Sequence, residues 1–277
     1  MNWIKGLFVC AAIIVGLNVP ADADDKEADK KIVIDGSTTV GPIAKAFASY
    51  YKKKNPDVKI NISETGSGNG AKSLVNNGCD IAIMSRFMKK SEFKTAVEKG
   101  IVPMPHVVAM DGIAVVLHPS NPVKQLTLSQ LSAIYSGKVK NWKDVGGPNK
   151  KIVKISRDTS SGTYEVFSKI VLKEKKMKDV EYVASNGAAR ARVSKTPAAI
   201  AYVGMAYLEG VKPIKVNGVE PTTSNIGTGR YPLARPLFMW TNGFPEIGSE
   251  VYSYIMLHST KIGKKIISEL HFVPIGE

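Results

Sequence analysis

From residue 31 onward, short apolar runs alternate with segments whose apolar residues recur at helical spacing, and this alternation limits the chain to few folds. KIVID (31–35), VKINISE (58–64), DIAIMS (80–85), KIVKIS (151–156), EYVAS (181–185) and AIAYVG (199–204) have strand character. After the first of them Val40, Ile43, Ala44, Phe47 and Tyr51 mark a helix. Further helices are expected over about 69–76, from about Ser91, over 126–137 with Gly137 as the stop, over 161–172, around 188–194 and from Glu246 to His258. Strands and helices in such alternation imply parallel sheets covered on both faces.

Two β-type stretches interrupt the pattern: VVAMDGIAVVLHP (107–119), with a break expected at Asp111-Gly112, and the proline-punctuated GRYPLARPLFMWT (229–241). Taken as crossings between lobes, they give an α/β protein of two lobes, 31–111 plus 236–277 and 112–235, with a cleft between. Small ligands favour such clefts and the carboxyl ends of strands.

Four strands end in small hydroxyl residues. Gly36-Ser37-Thr38-Thr39 follows KIVID, Thr65-Gly66-Ser67-Gly68 follows VKINISE, and Ser85-Arg86 follows DIAIM. The fourth is Arg157, followed by Ser160-Ser161-Gly162-Thr163. Each loop alone fits an ordinary helix cap. Their recurrence at matching topological positions, with two arginines, fits an anion cradle of backbone amides, hydroxyls and guanidinium groups.

Other chemistry finds little support. GSGNGAKS (66–73) misses a phosphate-binding loop because Ala71 stands where the second glycine belongs, and GSGNG lacks the dinucleotide spacing. The four histidines (106, 118, 258, 271) lie outside the hydroxyl loops and show no paired spacing, so neither a serine nucleophile with its base nor a metal site is expected. No cofactor is implied. The net charge of +14 comes largely from lysine clusters such as Lys52-Lys53-Lys54 and Lys261 to Lys265, without a nucleic-acid motif. It favours the approach of a small anion rather than binding to nucleic acid.

The first 23 residues have the form of a secretory signal: Lys5, an apolar stretch from Gly6 to Leu17, and Ala21-Asp22-Ala23 as the cleavage site. A retained anchor is the alternative, but the stretch is short for a bilayer. Lipidation at Cys10 is a further alternative, although Leu7-Phe8-Val9 lacks the small residues it favours. Cleavage leaves Cys79 as the one cysteine, so no internal disulfide is possible.

DGSTTVGPIAKAFA, ETGSGNGAKSL, DIAIMSR, MDGIAVVLHPSNP, LSAIYSGKVKNWKDVGG, ISRDTSSGTYEVF, AIAYVG and the closing FVPIG occur in that order over residues 31–276. In these stretches the chain resembles the periplasmic phosphate-binding proteins of the phosphate ABC importer, the PstS family. The resemblance implies a monomeric, extracytoplasmic solute-binding protein that takes inorganic phosphate and hands it to the membrane subunits of an ABC permease. It implies phosphate contacts at Ser37, Thr38, Thr39, Ser67, Arg157, Ser161, Gly162 and Thr163. Ser85-Arg86 is a departure: some relatives carry an aspartate at the Ser85 position, which accepts the ligand's proton and repels sulfate. Asp111 is a candidate for that acceptor or for a partner holding Arg86, against a plain Asp-Gly turn. The alternatives to phosphate capture are a secreted phosphoesterase on the same cradle and a binder or sensor of another oxyanion.

Overall fold

The computed structural model of the protein describes residues 31–173 and 175–276, so the secretory segment expected over residues 1–23 lies outside the described residues. The chain runs β1 (Lys31–Gly36), α1 (Gly41–Lys54), β2 (Lys59–Ser63), α2 (Ser67–Val75), β3 (Ile81–Met84), α3 (Lys90–Glu98) and β4 (Pro103–Leu117). It continues through β5 (Gln125–Leu126), α4 (Leu128–Tyr135), β6 (Val153–Arg157), α5 (Gly162–Phe167), β7 (Val180–Val183), α6 (Asn186–Ser194) and β8 (Ala199–Gly204). The last part holds β9 (Lys212–Pro213), β10 (Lys215–Val216), α7 (Thr223–Gly227), β11 (Ala234–Asn242), α8 (Glu250–Met256) and α9 (Lys261–Glu269).

Each lobe is built on its own sheet. In the first, β2, β1 and β3 are parallel and β11 closes on β3 in the antiparallel sense. In the second, β8, β6 and β7 are parallel. β4 belongs to both, pairing antiparallel with β11 over Pro103–Gly112 and with β8 over Ile113–Leu117. The strand path β2-β1-β3-β11-β4-β8-β6-β7 is therefore continuous. The break expected at Asp111-Gly112 is not a break in the strand: it is where β4 changes partner. At Gly112 a Cβ atom would lie 2.6 Å from the Ile226 side chain, which would have to shift to admit a larger residue.

Both faces of the first sheet are covered, as in parallel sheets generally. Along β3 the side chains alternate with the strand period of two. Ile81 and Ile83 join the core shared with Phe47 of α1 and Tyr254 of α8. Ala82 and Met84 face Leu74 of α2 and Ala96 of α3 in a second core. In the second lobe Phe167 stacks on Tyr202 with ring centroids 3.9 Å apart, and Tyr135 meets both rings edge-on. This aromatic packing fixes the strand ends from which the cleft residues project.

Candidate functional site

The hydroxyl-ended strands converge where the two lobes meet. β1 ends at Gly36, whose φ of +135° and the 2.2 Å between a hypothetical Cβ and the Ile83 carbonyl oxygen require glycine. That close approach swings Ser37, Thr38 and Thr39 towards the second lobe, and all three are buried. The Ser37 hydroxyl oxygen accepts from the Thr39 amide at 3.1 Å and the Val40 amide at 3.4 Å, so it shapes its own loop. Ser67 opens α2, and its hydroxyl accepts from the Ser85 amide at 3.1 Å, tying two strand ends together.

From the other lobe, Arg157 ends β6 with only 1% of its surface exposed. Its Nε donates to the Val183 carbonyl at 3.1 Å and its Nη2 to the Ala184 carbonyl at 2.7 Å, which leaves Nη1 to reach across to Thr38 Oγ1 at 3.1 Å. Ser161 caps α5 by accepting from the Tyr164 amide at 3.3 Å. Gly162 sits so close to the first lobe that a Cβ would lie 2.5 Å from Ser67 Oγ and 2.7 Å from Ser85 Oγ. Thr163 Oγ1 lies 3.0 Å from Thr39 Oγ1. The structure thus brings Ser37, Thr38, Thr39, Ser67, Ser85, Arg157, Ser161, Gly162 and Thr163 to one buried seam.

Arg86 and Asp111 are placed differently from the sequence-based expectation. The Arg86 guanidinium donates to both carboxylate oxygens of Glu92, at 2.7 and 2.8 Å, and its Nε lies 3.0 Å from Glu165 Oε2. Two carboxylates therefore occupy it at the edge of the seam. Asp111 does not hold Arg86; it pairs with Arg235, its cross-strand neighbour on β11. Asp111 Oδ2 accepts from Arg235 Nε at 3.0 Å and Nη2 at 2.9 Å, while Oδ1 accepts from the Met205 amide at 3.0 Å.

Arg235 is the second cation of the seam, and sequence reasoning missed it. Its Nη1 donates to the Ser85 carbonyl at 3.2 Å and its Nη2 to Thr163 Oγ1 at 3.0 Å. Asn186 was missed as well: its Nδ2 donates to Thr38 Oγ1 at 2.9 Å and Thr39 Oγ1 at 3.0 Å, and its Oδ1 accepts from the Gly204 amide. Tyr207 donates its hydroxyl to the Thr38 carbonyl at 2.6 Å. The available signal for Arg235 was an arginine inside an otherwise apolar, proline-bounded crossing strand.

The electrostatics are unequal. Burial lowers the pKa of both Arg157 and Arg235; the nearby charge of Asp158 works against this at Arg157, and the paired Asp111 carboxylate does so at Arg235. Burial likewise raises the Asp111 carboxyl above its ordinary range, with Arg235 and the Met205 amide pulling the other way. Among the described residues Arg157 forms no ion pair: its three hydrogen bonds go to two carbonyls and a hydroxyl. An enclosed guanidinium without a directly bonded carboxylate costs several kcal/mol in principle. A seam of this kind, rich in donors and one positive charge in excess, suits a small tetrahedral or planar anion. Among the described residues no group of three or more His, Cys, Asp or Glu side chains is placed to hold a metal ion.

Comparison with known proteins points the same way. Residues 21–255 match the family model of the PBP superfamily domain. The phosphate-binding protein PstS of Bacillus subtilis is 30% identical over 256 residues, spanning 91% of this chain and 83% of that protein. PstS of Staphylococcus epidermidis is 34% identical over 261 residues, spanning 89% and 80%. Among solved structures, a candidate phosphate ABC transporter substrate-binding protein with bound phosphate from Clostridium perfringens superposes with a TM-score of 0.81 at 33% identity, covering 89% of this chain and all of that one. An ABC-type phosphate transport receptor from Vibrio cholerae gives 0.71 at 29% identity, with 87% and 99% covered.

Proposed function

The chain belongs to the PstS family of phosphate-binding proteins, and from that premise we propose that its buried seam captures inorganic phosphate outside the cytoplasmic membrane and releases it to an ABC permease. The observation that carries this reading is Arg157, a buried cation without a carboxylate partner among the described residues. A phosphate oxygen near Nη1 supplies the missing counter-charge through a charge-assisted hydrogen bond. Arg235, paired with Asp111, is the second guanidinium within reach of the same anion. Thr38, Thr39, Ser67, Ser85 and Thr163 contribute hydroxyls that donate to a fully ionised oxygen or accept from a protonated one.

In this reading Asp111 is the residue that orients Arg235, since both its oxygens are already engaged. The ligand contacts are then Thr38, Thr39, Ser67, Ser85, Arg157, Ser161, Gly162, Thr163 and Arg235, with Ser37 shaping the first loop and Arg86 held outside. Binding draws the lobes together because the donors come from both, and closure encloses the anion where charge interactions are stronger than in water. Opening against the permease then frees it.

Isothermal calorimetry of phosphate-stripped protein tests the proposal. Phosphate should bind, and Arg157→Ala should weaken binding by about 2–5 kcal/mol, the usual cost of truncating one partner of a buried charge pair. Wild-type affinity in that variant, or no phosphate binding by the parent, would sink the reading. A sulfate titration reports whether hydroxyls without a free carboxylate can discriminate between the two anions. Phosphate uptake in cells that depends on both this protein and a permease checks the delivery step.

A further inference from the structure

A second set of charges spans the two lobes at the edge of the seam, outside the anion cradle. Arg86 and Lys89 follow β3 in the first lobe. Glu165 lies on α5 in the second, one turn beyond the Ser161-Gly162 loop. Arg86 Nε is 3.0 Å from Glu165 Oε2, and Lys89 Nζ is 2.9 Å from Glu165 Oε1. One carboxylate of the second lobe thus forms ion pairs with two cations of the first, while Arg86 Nε and Glu165 Oε1 themselves make no hydrogen bond among the described residues.

The clasp is prepared on one side. Glu92 accepts from both Arg86 Nη atoms and from the Lys89 amide at 2.8 Å, and the Phe87 carbonyl accepts from Arg86 Nη1 at 2.8 Å. All of these partners belong to the first lobe, so Arg86 keeps its orientation whether or not the lobes touch. Its Nε edge alone faces Glu165. The Arg86 side chain is 4% exposed and that of Glu165 is 18% exposed, so the pair is largely shielded from water, whereas Lys89 is 48% exposed. Beside it the Gly68 amide donates to the Ser160 carbonyl at 2.9 Å, a backbone hydrogen bond that also crosses the seam.

The balance of charge changes with closure. In an open cleft the first-lobe rim has two cations, Arg86 and Lys89, against the single carboxylate of Glu92, and so presents a net positive charge to an approaching anion. On closure Glu165 cancels it. The rim then gains nothing by admitting a second anion, and separating the lobes exposes unpaired charges on both sides.

We infer that Glu165, through Arg86 and Lys89, is a closure latch that sets how long the bound anion stays without touching it. The inference rests on the proposed phosphate-binding function of the cradle. Its test is stopped-flow measurement of phosphate association and dissociation for wild type, Glu165→Gln and Lys89→Gln. Glu165→Gln should release phosphate about tenfold faster while association changes by less than about threefold, because changes at one interface act mainly on the dissociation rate. Lys89→Gln, more exposed and more screened, should accelerate release less. Raising the ionic strength should quicken wild-type release only to about the level of Lys89→Gln, because salt screens the exposed Lys89 contact far more than the shielded Arg86 one. The ligand-free melting midpoint should stay at the wild-type value, since an open cleft does not make the contact.

Phosphate binding with an unchanged dissociation rate in Glu165→Gln overturns the latch and leaves the functional reading intact. A dissociation rate that changes only in parallel with a lower ligand-free melting midpoint also overturns it, by assigning Glu165 a plain structural role. Failure of the wild type to bind phosphate, sulfate, arsenate or molybdate removes the functional reading and the latch together.

Discussion

Gly162 shows how much depends on single atoms at the seam. Its backbone is not in the left-handed region, so alanine suits the chain itself. The added methyl would nevertheless meet Ser67 Oγ and Ser85 Oγ at 2.5 and 2.7 Å, both from the opposite lobe. Gly162→Ala should therefore fold normally and close badly, losing about 1–3 kcal/mol of phosphate affinity, the scale of an overpacked contact. Calorimetry with a parallel melt of the ligand-free protein checks this; an unchanged affinity would mean the lobes need not approach so closely. The hydroxyl-bearing loops were legible because strand-end position and residue type are both local. Arg235 was not, since its role depends on the register that sets it opposite Asp111, 124 positions away in the chain. Arg86 is the complementary case. A cation at a strand end suggests a ligand contact, but Glu92 six residues later and Glu165 from the other lobe already occupy it.

Among the elements, β4 carries the most structural responsibility, and a histidine near its start gives it a pH response. His106 Nε2 lies 2.9 Å from Thr241 Oγ1 on β11, and partial burial, aided by the charge of His258, holds its pKa below the ordinary histidine value. The unfolded chain therefore binds the proton more readily than the folded one. Stability should be full above about pH 6.5 and fall as the pH drops through that value towards the folded pKa. Urea unfolding at pH 7.5 and 5.5 measures the fall, and His106→Gln should flatten it. An equally steep loss in the variant would assign the effect to other groups. Most elements were legible from apolar period, but their ends less so. α2 starts at Ser67, two residues before the expected Asn69, because its first turn is made of small residues with no period to read. The late helix expected over 246–258 is shorter, Glu250–Met256, and is followed by α9, which was not expected. Lysines dominate the eye there, yet Ile262, Ile266 and Ile267 form a helical stripe and the Thr260 hydroxyl caps it by accepting from the Gly263 amide.

At the scale of the whole molecule, the two-lobed α/β architecture was legible from strand–helix alternation and two long β-type crossings. The continuous strand path was not, since which crossing pairs with which sheet is a long-range property. That path has a consequence for the order in which the molecule can be completed. The second-lobe half of β4, with β8, β6, β7 and the short β9, has all its strand partners once residue 213 has been made. The first lobe does not: β3 and the first half of β4 both wait for β11, residues 234–242. A fragment of residues 31–233 should accordingly show slow amide hydrogen exchange along β6 and β8 and fast exchange along β1 and β3. Uniform protection in both would refute the idea. Unpaired strand edges invite wrong partners, so the lobe whose sequence emerges first is finished last and stays vulnerable to mispairing for most of the chain's synthesis.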